Sequence, residues 1–228
     1  MRGRWYGQSS FRLESGTQSV CIDPFAPPTE ANRKGRQFDY PAIRDVAAQV
    51  LLITHEHWDH NGVEAVSGSP TTFRSRAGTF ESPIGQVLAI ASEHDDVAGT
   101  KRGSNIIFVF SLGGVRVAYF GDFGQRDLRP EQATVIGHPD LVFMPVGGGA
   151  TSGADQAFAI VTRLGARWIV PMHYRTSAIN FLEPVDAFLA KYKPGQIVRF
   201  DRPEFDTDDP RMSAAAPVVV LPAVPAGA

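Results

Sequence analysis

The segment LLITHEHWDHNG, residues 51–62, sets three histidines and two acids into the six positions 55–60, directly behind an apolar run. Such a run reads as a strand buried on both faces, and Val50–Thr54 is predicted as that strand. The polar cluster behind it is either a crowded turn or a metal site. Side chains alternate faces along an extended chain, so His55 and His57 point the same way and two imidazoles can share one cation. Asp59 and His60 come as the chain turns into NGVEAV, a predicted helix start. They can then face a second cation close to the first, as two-metal hydrolases require. Glu56 and Trp58 fall on the other side, toward packing or solvent.

The remaining polar candidates repeat one placement. His94 follows the predicted strand Gln86–Ala91. Asp122 stands between Gly121 and Phe123, just past Val115–Phe120, which pairs with Ile106–Phe110 as a hairpin around SLGG. His173 closes the predicted strand Arg167–Met172, and Leu141–Val146 is a further strand. Each candidate lies at the carboxyl end of an apolar strand, the edge on which sheet-based folds build their sites. Five of the six histidines obey this rule. The sixth, His138 in GHPD, has no strand before it and reads as a loop residue. Taken singly, a histidine after a strand or an aspartate between glycines is ordinary loop chemistry. Taken together with the 55–60 cluster, they read as a metal centre.

The chain has 228 residues, 43% of them hydrophobic, enough for one sizeable core, and a single domain over 1–228 is expected. A formal net charge of −2 gives no bulk attraction to nucleic acid. The basic groups Arg33, Lys34 and Arg36, Arg74 and Arg76, and Lys101 and Arg102 read mainly as solvated loops. Cys21 is the single cysteine, so no internal disulfide forms. The opening MRGRWYGQSS lacks the apolar core of a signal peptide. No apolar run approaches the ~20 residues of a membrane helix. A cytoplasmic protein without membrane or nucleic-acid partners is the expectation.

Paired strands are predicted within 4–22, a loop over 23–39, and a short helix after Pro41. Helices are predicted at Ala154–Leu164, stopped by Gly165, at Pro184–Tyr192, ended by Gly195, and at Asp127–Ile136. Thr151 or Ser152 is a candidate cap for the first of these. VGGGATSGAD lacks the Lys-Ser/Thr ending of a phosphate loop and reads as the turn into that helix. The Ala/Pro-rich end, from about 212 to 228, is expected to add one strand at Val218–Leu221 and otherwise to be a partly ordered tail.

On these residues the chain resembles the metallo-β-lactamase-fold hydrolases. THEHWDH looks like their T-H-x-H-x-D-H signature, followed in family order by His94 in ASEHDD, Asp122 in FGDFG and His173 in PMHY. Arg102–Asn105 (RGSN) and Pro145–Gly149 (PVGGG) look most like the ascorbate-6-phosphate lactonase-like branch. The chain departs from that branch at Gln8, where a histidine often stands. The resemblance implies an α/β fold of the α+β kind, a four-layer αββα sandwich with metals at one edge. It implies one cation held by His55, His57 and His94, another by Asp59, His60 and His173, and Asp122 bridging both. Imidazoles and carboxylates suit Zn²⁺ and admit Mn²⁺ or Fe.

The implied function is hydrolysis of a small ester-like substrate, a lactone or a phosphodiester, by a hydroxide shared between two cations. Asp59 and Asp122 are the catalytic candidates. Lys101 and Arg102 are candidates to grip an anionic group on a small-molecule substrate, and Tyr174 and Arg175 to line the pocket, with Tyr174 a candidate proton donor. Two other readings stay open: a non-catalytic metal-binding scaffold, and a di-iron redox protein on the same ligands.

Overall fold

Val50–Ile53 is buried along its whole length, and its two faces serve two different cores. Val50 and Leu52 point into the main apolar layer, Leu51 and Ile53 into a second cluster on the opposite side, as the two-residue period of a strand dictates. Gln18–Ile22 does the same, with Val20 and Ile22 facing one way and Cys21 the other. The computed structural model describes residues 1–149, 151–213 and 216–226. In chain order the strands are β1 (Arg2–Gly7), β2 (Ser10–Ser15), β3 (Gln18–Ile22), β4 (Val46–Ala47), β5 (Val50–Ile53), β6 (Val66–Ser67), β7 (Thr71–Arg74), β8 (Gly78–Ser82), β9 (Gly85–Glu93), β10 (Ser104–Leu112), β11 (Val115–Tyr119), β12 (Leu141–Pro145), β13 (Trp168–Met172), β14 (Ile197–Arg199), β15 (Glu204–Asp206) and β16 (Val218–Leu221). The helices are α1 (Glu30–Arg33), α2 (Pro130–Ile136), α3 (Ala154–Leu164) and α4 (Asp186–Leu189).

Among the described residues these strands form two large sheets and one small pair. The first sheet runs β15-β1-β2-β3-β5-β7, the second β14-β16-β13-β12-β11-β10-β9-β8, and β4 pairs with β6. The two large sheets face each other across the main core, where Phe11 of β2 meets Phe143 of β12 edge-on at 4.7 Å. α3 buries Ala157, Ile160, Val161 and Leu164 against the second sheet. The outer face of the first sheet is covered mostly by loops: Phe25, Phe38, Tyr40 and Ile43 from one stretch, Ile179 and Leu182 from another. The single turn α1 in that layer buries nothing. The result is the α/β sandwich expected, with one outer layer thinned from helix to loop.

Strand direction gathers the site. β11, β12 and β13 are parallel, and β10 is antiparallel to both β9 and β11, so β9 runs with β11. The carboxyl ends of β9, β11 and β13 therefore share one edge of the second sheet. Ile106 N–H, at the start of β10, donates to Thr54 C=O at 3.1 Å and ties that edge to the end of β5.

Several local expectations change. No helix follows Pro41: the chain stays open to lay Ile43 and Val46 on the outer cluster. Of Pro184–Tyr192 only α4 is helical, because Lys191 and Tyr192 donate to Phe188 and Leu189, three residues back, and tighten the last turn. The helix within 127–136 begins at Pro130. Gly153, not Thr151 or Ser152, is the N-cap of α3; the Ser152 hydroxyl donates instead to Phe123 C=O at 3.1 Å. Much of the supposed tail is core. Met212 is buried and accepts from Trp168 Nε1 at 3.0 Å, and β16 lies inside the second sheet; residues 214, 215, 227 and 228 lie outside the described residues. β7 exposes alternate residues, and β14 and β15 are three residues each, too short or too polar for a periodic signal.

Phe11 is fully buried between the sheets, so Phe11→Ala is expected to cost about 3–5 kcal/mol, read as a lowered denaturation midpoint in urea.

Candidate metal centre

The seven sequence candidates converge. Ligand atoms of His55, His57 and His94 lie within 4.8 Å of one another, as do those of Asp59, His60 and His173, and those of His55, His60 and Asp122. Asp122 stands in the middle. Its Oδ2 is 3.0 Å from His94 Nε2 and 3.3 Å from His173 Nε2, and its Oδ1 is 3.2 Å from His60 Nε2. His55 Nε2 is 3.9 Å from the same carboxylate. His60 Nε2 and Asp122 Oδ1 are both buried and, although 3.2 Å apart, neither makes a well-aligned hydrogen bond with the other or with any group among the described residues. Unsatisfied buried groups of this kind are costly, and a cation would satisfy both at once. The donor set, imidazole nitrogen and carboxylate oxygen without thiolate, fits a divalent ion.

A shell behind the ligands fixes which nitrogen each ring presents. His60 Nδ1 donates to Asp23 Oδ2 at 2.9 Å, which leaves Nε2 free toward Asp122. Thr54 Oγ1 donates to Asp23 at 2.7 Å and so accepts from His55 Nδ1 at 3.0 Å, again leaving Nε2 for the centre. Thr151 Oγ1 donates to Gly148 C=O, at 3.2 Å, and lies 3.4 Å from His173 Nδ1. Outer partners of this kind set the tautomer and raise ligand basicity. Asn105 holds Asp122 from behind: its Oδ1 accepts from Asp122 N–H at 3.0 Å, and its Nδ2 donates to Phe120 C=O at 2.8 Å. The turn needs Gly121, since at φ +56 a Cβ there would sit 2.4 Å from Asn105 Oδ1. Gly147 permits an equally close pass, its missing Cβ lying 2.1 Å from His173 C=O.

Charge is distributed unequally over the cluster. Burial raises the Asp122 carboxyl, but His173, His60 and His94 outweigh it and hold it well below the usual carboxylate range. Burial lowers His60, yet the Asp122 and Asp59 carboxylates and the bond to Asp23 carry it well above the usual imidazole value. Burial, and then His60, hold His55 well below that value.

In front of the centre lies a cavity of about 410 Å³, on whose wall His57, Asp59, His94, Asp122 and His173 appear. Arg102 is on that wall. Its loop is pinned by the Asp95 carboxylate, which accepts from the backbone N–H groups of Val97, Gly99, Lys101 and Arg102 at 2.8–3.0 Å. Lys101 lies off the wall and is exposed. Arg33, Lys34 and Arg36, read from sequence as solvated loop, also line the cavity, beside Trp58 and Phe181.

Tyr174 does not. Its ring packs 5.6 Å from Trp5, and burial pushes its phenol far above the ordinary value, which removes it as a proton donor there. Arg175 turns away as well, Nε donating to Leu182 C=O at 2.6 Å to hold its own loop. Glu56 faces out and pairs with Arg74 at 2.6 Å. His138 bonds Leu164 C=O at 3.1 Å, far from the centre in role. Sequence reasoning gave no role to Asp23, set Asn105 apart only as the end of the RGSN segment, and read Arg33, Lys34 and Arg36 as solvated loop. Asp23 alone carried a usable signal: it directly follows the apolar strand β3, the same placement as the ligands.

Residues 3–173 match the family model described as the beta-lactamase superfamily domain, and the chain belongs to that superfamily. The UPF0173 metal-dependent hydrolase of Methanoregula boonei is 32% identical over 199 residues, covering 75% of this chain and 81% of its own. The one from Methylobacterium nodulans is 30% identical over 224 residues, covering 83% and 91%. A crystal structure from Thermotoga maritima, assigned to the Zn-dependent hydrolases of the metallo-beta-lactamase superfamily, is 28% identical and superposes with a TM-score of 0.75 over 97% of this chain and 98% of that one. With these relatives the protein is a metal-dependent hydrolase.

The electrostatics give a pH-dependent outcome. With metal stripped, His60 is expected to hold both ring protons at neutral pH while His55 is neutral, visible in ¹⁵N spectra of the ring nitrogens. A cation must displace the His60 Nε2 proton. Metal affinity should therefore climb as pH rises toward the elevated His60 pKa and fall as pH drops below it, the sign that proton competition requires.

Proposed function

We propose that the protein hydrolyses a small anionic ester-like substrate, a lactone or a phosphodiester, at a pair of divalent cations, Zn²⁺ first and Mn²⁺ or Fe as the alternatives. The observation that carries this is Asp122: one buried carboxylate within 3.9 Å of four histidine nitrogens drawn from both donor groups. His55, His57 and His94 would hold one cation, Asp59, His60 and His173 the other, and Asp122 would serve both. Bound there, the pair would supply a water acidified enough to be hydroxide at neutral pH and a Lewis acid for the substrate oxygen.

The chain's own residues supply the rest. Asp59 is half-buried and on the cavity wall, where it can orient the attacking water and accept its proton. Substrate selection falls to the cations at the mouth. Arg102 is presented by its pinned loop, and Lys34 faces the same space. Arg33 is partly occupied by Asp39 at 3.3 Å, and Arg36 lies over the Phe181 ring at 5.2 Å. Guanidinium groups bind carboxylate and phosphate in a fork, and Trp58 and Phe181 offer a flat apolar wall beside them. A cavity of this size suits a small molecule.

The test is metal analysis joined to an activity screen over lactones and phosphodiesters. Two ions per chain, activity abolished by a chelator and restored by Zn²⁺ or Mn²⁺, are expected. His57→Ala and Asp122→Ala should each lose at least about 100-fold in kcat/KM, given that removing even outer-shell partners costs 10–100-fold. Full turnover and full metal content in either variant would sink the mechanism. Iron with a reversible colour change would favour the redox reading, and metal-loaded protein inert toward the whole panel would favour the scaffold.

Arg102→Ala should raise KM by about 10-fold or more for anionic substrates, the worth of one charge-assisted hydrogen bond, and leave KM for neutral esters unchanged. Equal effects on both would remove the anion from the substrate class.

A further inference from the structure

The group Asp59, His60 and His173 is held in a way that its neighbour group is not. Three non-glycine residues with left-handed backbone meet around it: Gln8 at φ 51, Asp23 at φ 46 and His173 at φ 51. Such backbone persists where the surroundings over-determine it, and it gathers at functional sites. Asp23 braces His60, and His173 is itself a ligand candidate. Gln8 is the third, and it stands where the sequence departs from its resembling branch.

Gln8 sits at the tip between β1 and β2, fully buried. Its carbonyl accepts from Trp5 Nε1 at 3.1 Å and from His173 N–H at 3.4 Å, so two of the left-handed residues are joined directly. The preceding Gly7, at φ +111, leaves no space for a Cβ, which would lie 2.3 Å from the Tyr40 ring. With the backbone pinned, the side chain extends to Asp59, and Nε2 donates to Asp59 Oδ2 at 3.2 Å. The reversed amide would set its oxygen against a carboxylate oxygen, two acceptors face to face. Gln8 Oε1 is buried without a hydrogen-bond partner among the described residues, so the bond to Asp59 is what orients the amide. The hairpin tip thus grips two of the three ligands of one group, Asp59 by side chain and His173 by backbone.

We infer that Gln8 is a positioning residue for the cation held by Asp59, His60 and His173, fixing the Asp59 carboxylate in its ligating orientation. The inference rests on the two-cation reading above. It predicts a split: loss of the Gln8 donor weakens one cation and spares the one held by His55, His57 and His94, which Gln8 does not touch.

The experiment is a Zn²⁺ titration by calorimetry of metal-stripped wild type, Gln8→Met, Gln8→Glu and Gln8→His, with thermal melts of each metal-free form. Gln8→Met keeps the length without the donor, Gln8→Glu sets a second carboxylate against Asp59, and Gln8→His keeps an N–H. One of the two Zn²⁺ affinities should fall by about 10–100-fold in the Met and Glu variants, the other should hold, and Gln8→His should retain both. Two wild-type affinities in both Gln8→Met and Gln8→Glu would overturn the inference. So would equal weakening of both ions with a lowered metal-free melting temperature, which marks a merely structural residue. Should Gln8→Met fail to fold, the contrast of Gln8→Glu with Gln8→His decides. Wild-type protein that binds fewer than two Zn²⁺ refutes the two-cation reading itself, a result separable from any change confined to the variants.

Discussion

A carboxylate with no water around it must be compensated, and the centre of this molecule is organised by that demand. Asp122 is 2% exposed, and an isolated charge so buried would be neutralised or expelled. Four imidazoles surround it at 3.0–3.9 Å, and Asn105 anchors its backbone. The arrangement is stable only if positive charge is supplied, by a protonated histidine or by cations. The same constraint explains why the second layer is a hydrogen-bonded web and not apolar packing, while the glycine in the flanking turn answers to the close approach of Asn105.

The sheets turn this local demand into a site. β9, β11 and β13 deliver His94, Asp122 and His173 to one edge because they run the same way, and β5 delivers the 55–60 cluster from the facing sheet. Strand interiors are occupied with core: Val50, Leu52, Phe11 and Phe143 make the apolar layer that keeps the two edges in register. Chemistry is left to the residues just beyond the last ladder bond, where backbone turns and side chains are free to be polar. Asp23 joins the two functions, since its carboxylate receives Thr54 N–H at 2.8 Å and the His60 ring at 2.9 Å. It closes the end of β5 and orients a candidate ligand in one step.

The sequence was most legible where periodicity and chemistry coincided. Val50–Thr54, the 106–120 hairpin and α3 all carried strong apolar patterns, and the seven polar residues that converge lay just past such patterns. Legibility failed where a role depends on a partner far along the chain. Gln8 gains its meaning from Asp59 and His173, and Arg33, Lys34 and Arg36 look solvated until the loop is seen to fold over the cavity mouth. Tyr174 failed for the opposite reason: adjacency to His173 suggested the pocket, but the strand ends at Met172, the backbone turns left-handed at His173, and the Tyr174 ring packs against Trp5. α4 was overread because an apolar period survives in sequence even where the backbone tightens after one turn. Edge strands such as β7 leave almost no apolar trace, since half their residues face water.

The position of β16 bears on how the protein is made. β14 pairs with β16, and β16 pairs with β13, so residues 197–199 wait for 218–221 before they can join the ladder. A chain emerging from the ribosome folds its earlier parts first, yet here a late-emerging strand is an interior plank of the larger sheet. Until it arrives, β13 offers an open edge one residue before His173. The strand whose end presents His173 therefore gains its outer neighbour from a segment that comes much later in the sequence, and that side of the candidate centre depends on a long-range pairing.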